Sequence, residues 1–114
     1  MPIEFEDSSD TLRTIRISGR LDLAGTDEIA TKFAALATAK DRRVIVDLTG
    51  VSFLASIGIR SIITNAKSLQ QRGGRMVLFV GSNEPVAKTL EVTGIDSLIP
   101  LFSDLSAAEA AVAA

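Results

Sequence analysis

The sequence predicts a single α/β domain with a mixed, mostly parallel sheet of about five strands, including an N-terminal hairpin, flanked by about four helices. Short runs rich in β-branched residues alternate along the chain with segments of helical periodicity, which is typical of crossover units and a parallel sheet. The first two strands are close in sequence and favour a hairpin. A length of 114 residues fits one domain, residues 1–114, around one hydrophobic core.

The first half of the chain predicts a hairpin, a helix and a buried strand. Ile3–Glu6 and Leu12–Ser18 alternate apolar and polar residues, as half-buried strands do, and a loop is expected after them at Arg20–Asp22. A helix is expected over Thr26–Ala39, with its first Thr as the N-cap and apolar residues at helical spacing. Val44–Leu48 is a continuous β-branched run, which predicts a strand buried on both faces.

The second half predicts three helices alternating with two strands. Ser56–Gln71 keeps its apolar residues at helical spacing, Met76–Val80 is a continuous apolar run, and Leu98–Phe102 is a short last strand. The third helix is marked by Ser82 or Asn83 as its N-cap, by Pro85 in its first turn and by Gly94 at its end. The last helix is marked by a capping box formed by Ser106 and Glu109.

Composition excludes several classes of function. The chain has no Cys and no His, so disulfides, thiolate zinc sites and imidazole catalysis are impossible. A net charge of −2 with no Trp or Tyr disfavours nucleic-acid binding. Nucleotide-binding glycine motifs are absent, and we expect no enzyme activity, no cofactor and no metal. No signal peptide or membrane-spanning run is found, so we expect a cytoplasmic protein without membrane insertion.

One segment resembles a known family. The run Val44–Ile59, VIVDLTGVSFLASIGI, is similar to the signature of STAS domains, the fold of bacterial anti-sigma factor antagonists. In that family a buried strand ending in Asp-Leu leads through a Gly-Val-x-Phe step to an Asp-Ser-Ser/Thr-Gly-Leu turn, which opens a helix. Ser18–Asp22 resembles the family's Gly-x-Leu-Asp loop, and Leu90–Ile95 resembles its third-helix ending. The order and spacing of these pieces imply a STAS-type fold over the whole chain.

The resemblance implies a regulatory switch centred on Ser56. In the family, the first Ser after the Asp is phosphorylated by a partner kinase that is also the anti-sigma factor, and Ser56 occupies that position. The unphosphorylated form binds the kinase and frees the sigma factor, whereas the phosphorylated form is released; a phosphatase can complete the cycle. Two positions depart from the pattern, because Ala55 replaces the Asp and Ile57 replaces the second hydroxyl residue. An exposed Ile57 would offer a partner an apolar contact.

A Ser at a helix start is physically suited to this function. As an N-cap it would accept a backbone N–H, and a phosphate there would add charge at the positive end of the helix dipole. Gly58 is expected to allow close approach by a partner. The predicted partner surface comprises Arg20, Asp22, Ala55, Ser56, Ile57, Gly58 and Arg60.

Other interpretations stay open, and the sequence does not predict an oligomeric state. Ser56 could serve only as a helix cap. The altered turn also suits an adaptor or scaffold that is never phosphorylated, either of the stressosome type or as an accessory subunit of an envelope lipid transporter. Asp47, at the end of a predicted buried strand, sits where response-regulator receivers carry a phosphoacceptor. Their acid pair and Lys are missing, so a structural role is favoured for Asp47.

Overall fold

The strands form one sheet whose spatial order follows the chain. A computed structural model of the protein describes residues 2–38 and 42–113. The strands, in order across the sheet, are β1 (Ile3–Asp7), β2 (Leu12–Leu21), β3 (Arg43–Leu54), β4 (Arg75–Phe79) and β5 (Leu101–Phe102). β1 pairs antiparallel to β2, and every later pairing is parallel. The predicted N-terminal hairpin and mostly parallel sheet are confirmed.

Helices cover both faces of this sheet. They are α1 (Leu23–Ala37), α2 (Ser56–Gln71), α3 (Glu84–Thr93) and α4 (Leu105–Ala113), with a 3-10 turn at Ile95–Ser97. The first three helices pack with one sheet face in the main core, and α4 packs with Ile45 and Val77 on the other face. Val44 and Ile45 point to opposite faces and are both fully buried, which confirms the strand predicted to be buried on both sides. Within the described ranges, no helix is both long and apolar enough to cross a bilayer.

The two central strands are longer than the sequence predicted. Their parallel pairing continues to Leu21 and Leu54, with register shifts on either side of Ser18 and Gly19. Gly19 has a φ of +85°, a conformation that favours glycine, and this permits the irregularity without ending the strand. The prediction of a loop from Arg20 was therefore wrong for Arg20 and Leu21, because tertiary pairing holds both residues in the sheet.

Two helices begin at other caps than predicted. The α1 N-cap is Asp22, whose Oδ1 accepts the Gly25 N–H at 2.8 Å, so the helix starts one turn earlier and Thr26 lies buried inside it. The predicted end at Ala39 falls outside the described residues. For α4, Asp104 Oδ2 accepts the Ala107 N–H at 3.0 Å, and this bond replaces the predicted Ser106–Glu109 capping box.

The third helix and the last strand were predicted in part. Pro85 lies in the first turn of α3, and Gly94 ends the helix with a φ of +75°, as expected. Asn83 occupies the N-cap, but its side chain makes no capping bond. Instead its Nδ2 donates to carbonyl oxygens of β3. β5 is shorter than predicted, because Leu98 and Ile99 donate their N–H groups to the Ile95 carbonyl and so close the turn that precedes the strand.

Candidate functional site

The candidate site lies where β2 and β3 end side by side. These neighbouring parallel strands reach Leu21 and Leu54 in register, and each is followed within two residues by the start of a helix. The Ala55 N–H donates to the Leu21 carbonyl oxygen at 3.0 Å, which ties the two strand exits together. The predicted residues of the 20–22 and 55–60 segments are thereby brought to one edge of the sheet.

Ser56 is the first residue of α2, and its side chain is exposed. The N-cap is Ala55, whose carbonyl accepts the N–H groups of Gly58 and Ile59 and whose side chain cannot cap. Over residues 2–38 and 42–113, the Ser56 hydroxyl has no hydrogen-bond partner. The interpretation of Ser56 as an N-cap was wrong, because the helix begins one residue earlier than a capping Ser requires, with Ala55 as its cap. Its hydroxyl is free to react with a second molecule.

Asp22 and Arg20 form a fixed polar corner next to this helix start. Besides capping α1, Asp22 accepts a bond from Arg20 Nε to its Oδ2 at 3.3 Å. The Gly25 N–H bond, and secondarily Arg20, lower the pKa of the Asp22 carboxyl below its usual value. The Arg20 guanidinium also lies 4.5 Å from the centroid of the Phe53 ring, a cation–π distance. Arg20 is therefore engaged by two neighbours.

Gly58 has an internal role. It is buried, and a Cβ added to it would lie 3.0 Å from Leu21 Cβ, from the Leu21 carbonyl oxygen and from Leu54 Cδ1. Close packing of α2 against the strand ends therefore explains the glycine, and the open backbone expected for partner approach is absent. Ile57 is half-buried, and Arg60 is exposed one turn after Ser56.

Two exposed apolar side chains near Ser56 were missed by the sequence analysis. Leu23, the first residue of α1, is 72% exposed, and Phe53 is 43% exposed. Phe53 could have been found, because buried Leu54 follows it and neighbouring strand residues face opposite sides. Leu23 gave no such signal, since the start of α1 was misplaced. We define the Ser56 surface as the side chains of Arg20, Asp22, Leu23, Phe53, Ser56, Ile57 and Arg60.

Asp47 has a structural environment. Its Oδ1 accepts bonds from the Thr49 N–H at 2.9 Å and the Thr49 hydroxyl at 2.7 Å, and Arg16 Nε lies 3.8 Å from its Oδ2. It lies within β3 and not at the strand end, because that strand continues to Leu54. In the part of the chain that the structure describes, no cluster of three or more His, Cys, Asp or Glu side chains could hold a metal ion.

Comparisons with known proteins agree with this architecture. A family model, the STAS domain, matches residues 3–108. The Bordetella bronchiseptica protein BtrV, provisionally named an anti-sigma factor antagonist, is 29% identical over 105 residues, which are 92% of this chain and 90% of BtrV. An anti-sigma factor antagonist structure from Mycobacterium paratuberculosis superposes with a TM-score of 0.86 at 21% identity, covering 98% of this chain and 93% of that one. The Bacillus cell fate determinant SpoIIAA, in its phosphorylated form, superposes with a TM-score of 0.67 at 19% identity, covering 96% and 98%.

Proposed function

Because the chain belongs to the STAS domain family, we propose that it is a protein-binding switch of the anti-sigma factor antagonist type. Its partner is an anti-sigma factor that is also a Ser/Thr protein kinase, and phosphorylation of Ser56 controls the complex. The observation that carries this proposal is the exposed Ser56 hydroxyl, which has no partner in the described residues and lies beside exposed apolar side chains. Similar proteins named as anti-sigma factor antagonists support it, and one of them, SpoIIAA, has been solved in both an unphosphorylated and a phosphorylated form.

The unmodified surface is suited to binding a protein. Leu23 and Phe53 expose apolar area that a partner can bury, and half-buried Ile57 lies in the first turn of α2. Aromatic anchors such as Phe53 are enriched in the cores of interfaces. Arg20 steadies the Phe53 ring from one side, so little side-chain freedom is lost when a partner covers it.

Phosphorylation would change this surface without unfolding the domain. The kinase transfers the γ-phosphoryl group of ATP to Ser56 Oγ: the new Oγ–P bond forms, the bond to ADP breaks, and the hydroxyl proton passes to a base on the kinase. The product carries about −1.5 to −2 charges at pH 7. A partner lying on the Ser56 surface would have to desolvate that charge, which favours release. The fold is retained because the Ser56 hydroxyl makes no internal bond in the described part of the chain.

The test uses purified anti-sigma factors with kinase activity from the same genome. Each is incubated with this protein and ATP, and intact-mass spectrometry detects the added phosphoryl group of about 80 Da. We expect one addition to the wild type and to the control Ser52→Ala, whose Ser is an exposed hydroxyl of β3, and none to Ser56→Ala. Binding measured by calorimetry should be kept in Ser56→Ala and lost in Ser56→Asp.

The adaptor or scaffold interpretation predicts a different outcome. Ala55 and Ile57 stand where the family pattern has an acid and a hydroxyl residue. Under the adaptor or scaffold interpretation, the protein therefore binds its partner constitutively, without phosphorylation. Equal binding of wild type, Ser56→Ala and Ser56→Asp, together with no mass addition, would refute the switch. Co-purification with a membrane ATPase would then favour the transporter subunit.

A further inference from the structure

We infer that Arg60 is the internal partner of a phosphate on Ser56, so that the modified protein holds the phosphate in an ion pair along α2. The inference rests on the proposed phosphorylation of Ser56 and adds to it the residue that receives the new charge.

The spacing on α2 brings the two side chains together. Ser56 and Arg60 are four residues apart at the start of a helix of 16 residues, and both are exposed. Residues four apart on a helix are surface neighbours, with Cβ atoms about 5–6 Å apart. An acid placed N-terminal to a base at this spacing is the favourable orientation. A phosphoserine also supplies three acceptor oxygens, which suit the planar guanidinium.

Arg60 is available for this pairing. Within residues 2–38 and 42–113 it has neither an ion pair nor a side-chain hydrogen bond. The sequence of α2 contains no Asp or Glu, so no carboxylate on its own helix competes for Arg60. Ala55, the residue before Ser56, carries no negative charge that would repel a phosphate on Ser56.

The other nearby cations are less suited. Arg20 is already bonded to Asp22 and stacked on Phe53. Lys67 lies eleven residues after Ser56, about 16 Å further along the helix axis at 1.5 Å per residue. Phosphorylation therefore changes the Ser56 surface in two ways at once: it adds a dianion, and it withdraws the free guanidinium of Arg60 from a partner's carboxylates.

The experiment installs phosphoserine at position 56 during translation, by expansion of the genetic code, so that no kinase is needed. The second pKa of the phosphate, ordinarily about 6, is then measured by ³¹P NMR titration. A nearby cation lowers this pKa, so Arg60→Gln should raise it by about 0.3 of a unit. The matched control Lys67→Gln should change it by less than about 0.1, and Arg60→Lys should keep most of the effect. In 1 M NaCl, where the Debye length is about 3 Å, the difference should shrink.

Equal phosphate pKa values in the wild type and Arg60→Gln would overturn the inference, as would an equal rise in Lys67→Gln. Circular dichroism of each variant confirms that the helix is intact, which is expected because Arg60 is exposed. Failure of this inference can be distinguished from failure of the proposed function. Absence of a kinase reaction at Ser56 would refute the proposed switch. An unchanged phosphate pKa in Arg60→Gln would refute only the pairing with Arg60.

Discussion

Replacement of Asn83 by Asp should destabilise the domain more than replacement by Ala. The Asn83 Nδ2 group donates to the Val51 carbonyl at 2.8 Å and the Leu48 carbonyl at 3.0 Å, with Thr49 O at 3.4 Å. Each net hydrogen bond contributes about 1 kcal/mol, so loss of two in Asn83→Ala should cost about 2 kcal/mol of unfolding free energy. A carboxylate cannot donate and would face three carbonyl oxygens, so Asn83→Asp should cost about 3 kcal/mol or more at pH 7.

The assay is urea denaturation of both variants, followed by circular dichroism, with Ser82→Ala as the control at an exposed neighbouring site. A loss of 2 kcal/mol corresponds to a fall in Tm of about 8 °C for a domain of this size. Lowering the pH should reduce the difference in unfolding free energy between Asn83→Asp and Asn83→Ala, because a protonated carboxyl has one hydrogen-bond donor. If Asn83→Asp and Asn83→Ala have equal unfolding free energies at pH 7 and at lower pH, the Asn83 side chain does not stabilise β3 through the described hydrogen bonds.

Three further predictions concern contacts that stabilise the fold, two near the start of α1 and one at the opposite end of β2. Gly25→Ala should lower the unfolding free energy by about 2 kcal/mol in chemical denaturation, because its Cβ would overlap the Arg20 carbonyl oxygen; stability equal to wild type would contradict that packing. Thr26→Val should raise the unfolding free energy by up to about 1 kcal/mol, since the buried Thr26 hydroxyl has no partner among the described residues; a loss above 1 kcal/mol would reveal one. The hydrogen bond from Arg13 lowers the pKa of Asp7, so this stabilising contribution is present above the unfolded pKa of about 4 and is lost as the pH falls through the lower folded value. Stability should therefore decline less steeply in Asp7→Asn than in wild type below pH 4, and parallel pH profiles would contradict this.

The sequence predicted the layout of the fold because its signals were local and strong. The continuous β-branched run at Val44–Leu48 and the helical spacing over Ser56–Gln71 reflect burial on two faces and on one face, respectively. Element ends were less predictable, since they depend on tertiary contacts. β2 continues to Leu21 because β3 pairs with it, and no residue of β2 alone reveals this.

The site was predicted in part for the same reason. The family resemblance placed Ser56 at the start of a helix, and the structure has it there, but in the first helical position and not at the cap. The sequence analysis expected Gly58 to allow close approach by a partner. The sequence alone does not show whether a helix glycine makes room for an internal neighbour or for a second protein. Only the fold shows that Leu21 and Leu54 fill it. Leu23 was missed because its exposure depends on the earlier cap at Asp22.

A division of roles among the site residues follows from their bonds. Asp22 and Gly58 are fixed by internal contacts: Asp22 caps α1, and Gly58 packs closely against Leu21 and Leu54. Ser56 and Arg60 lack such contacts within the described chain, although they lie on the same rigid helix. In the proposed phosphorylated form, the charge added to Ser56 would lie beside the guanidinium of Arg60, and no bond of Ser56 within the described chain would be broken. Under the proposed function, this arrangement would alter what can dock on the surface while the domain beneath it keeps its fold.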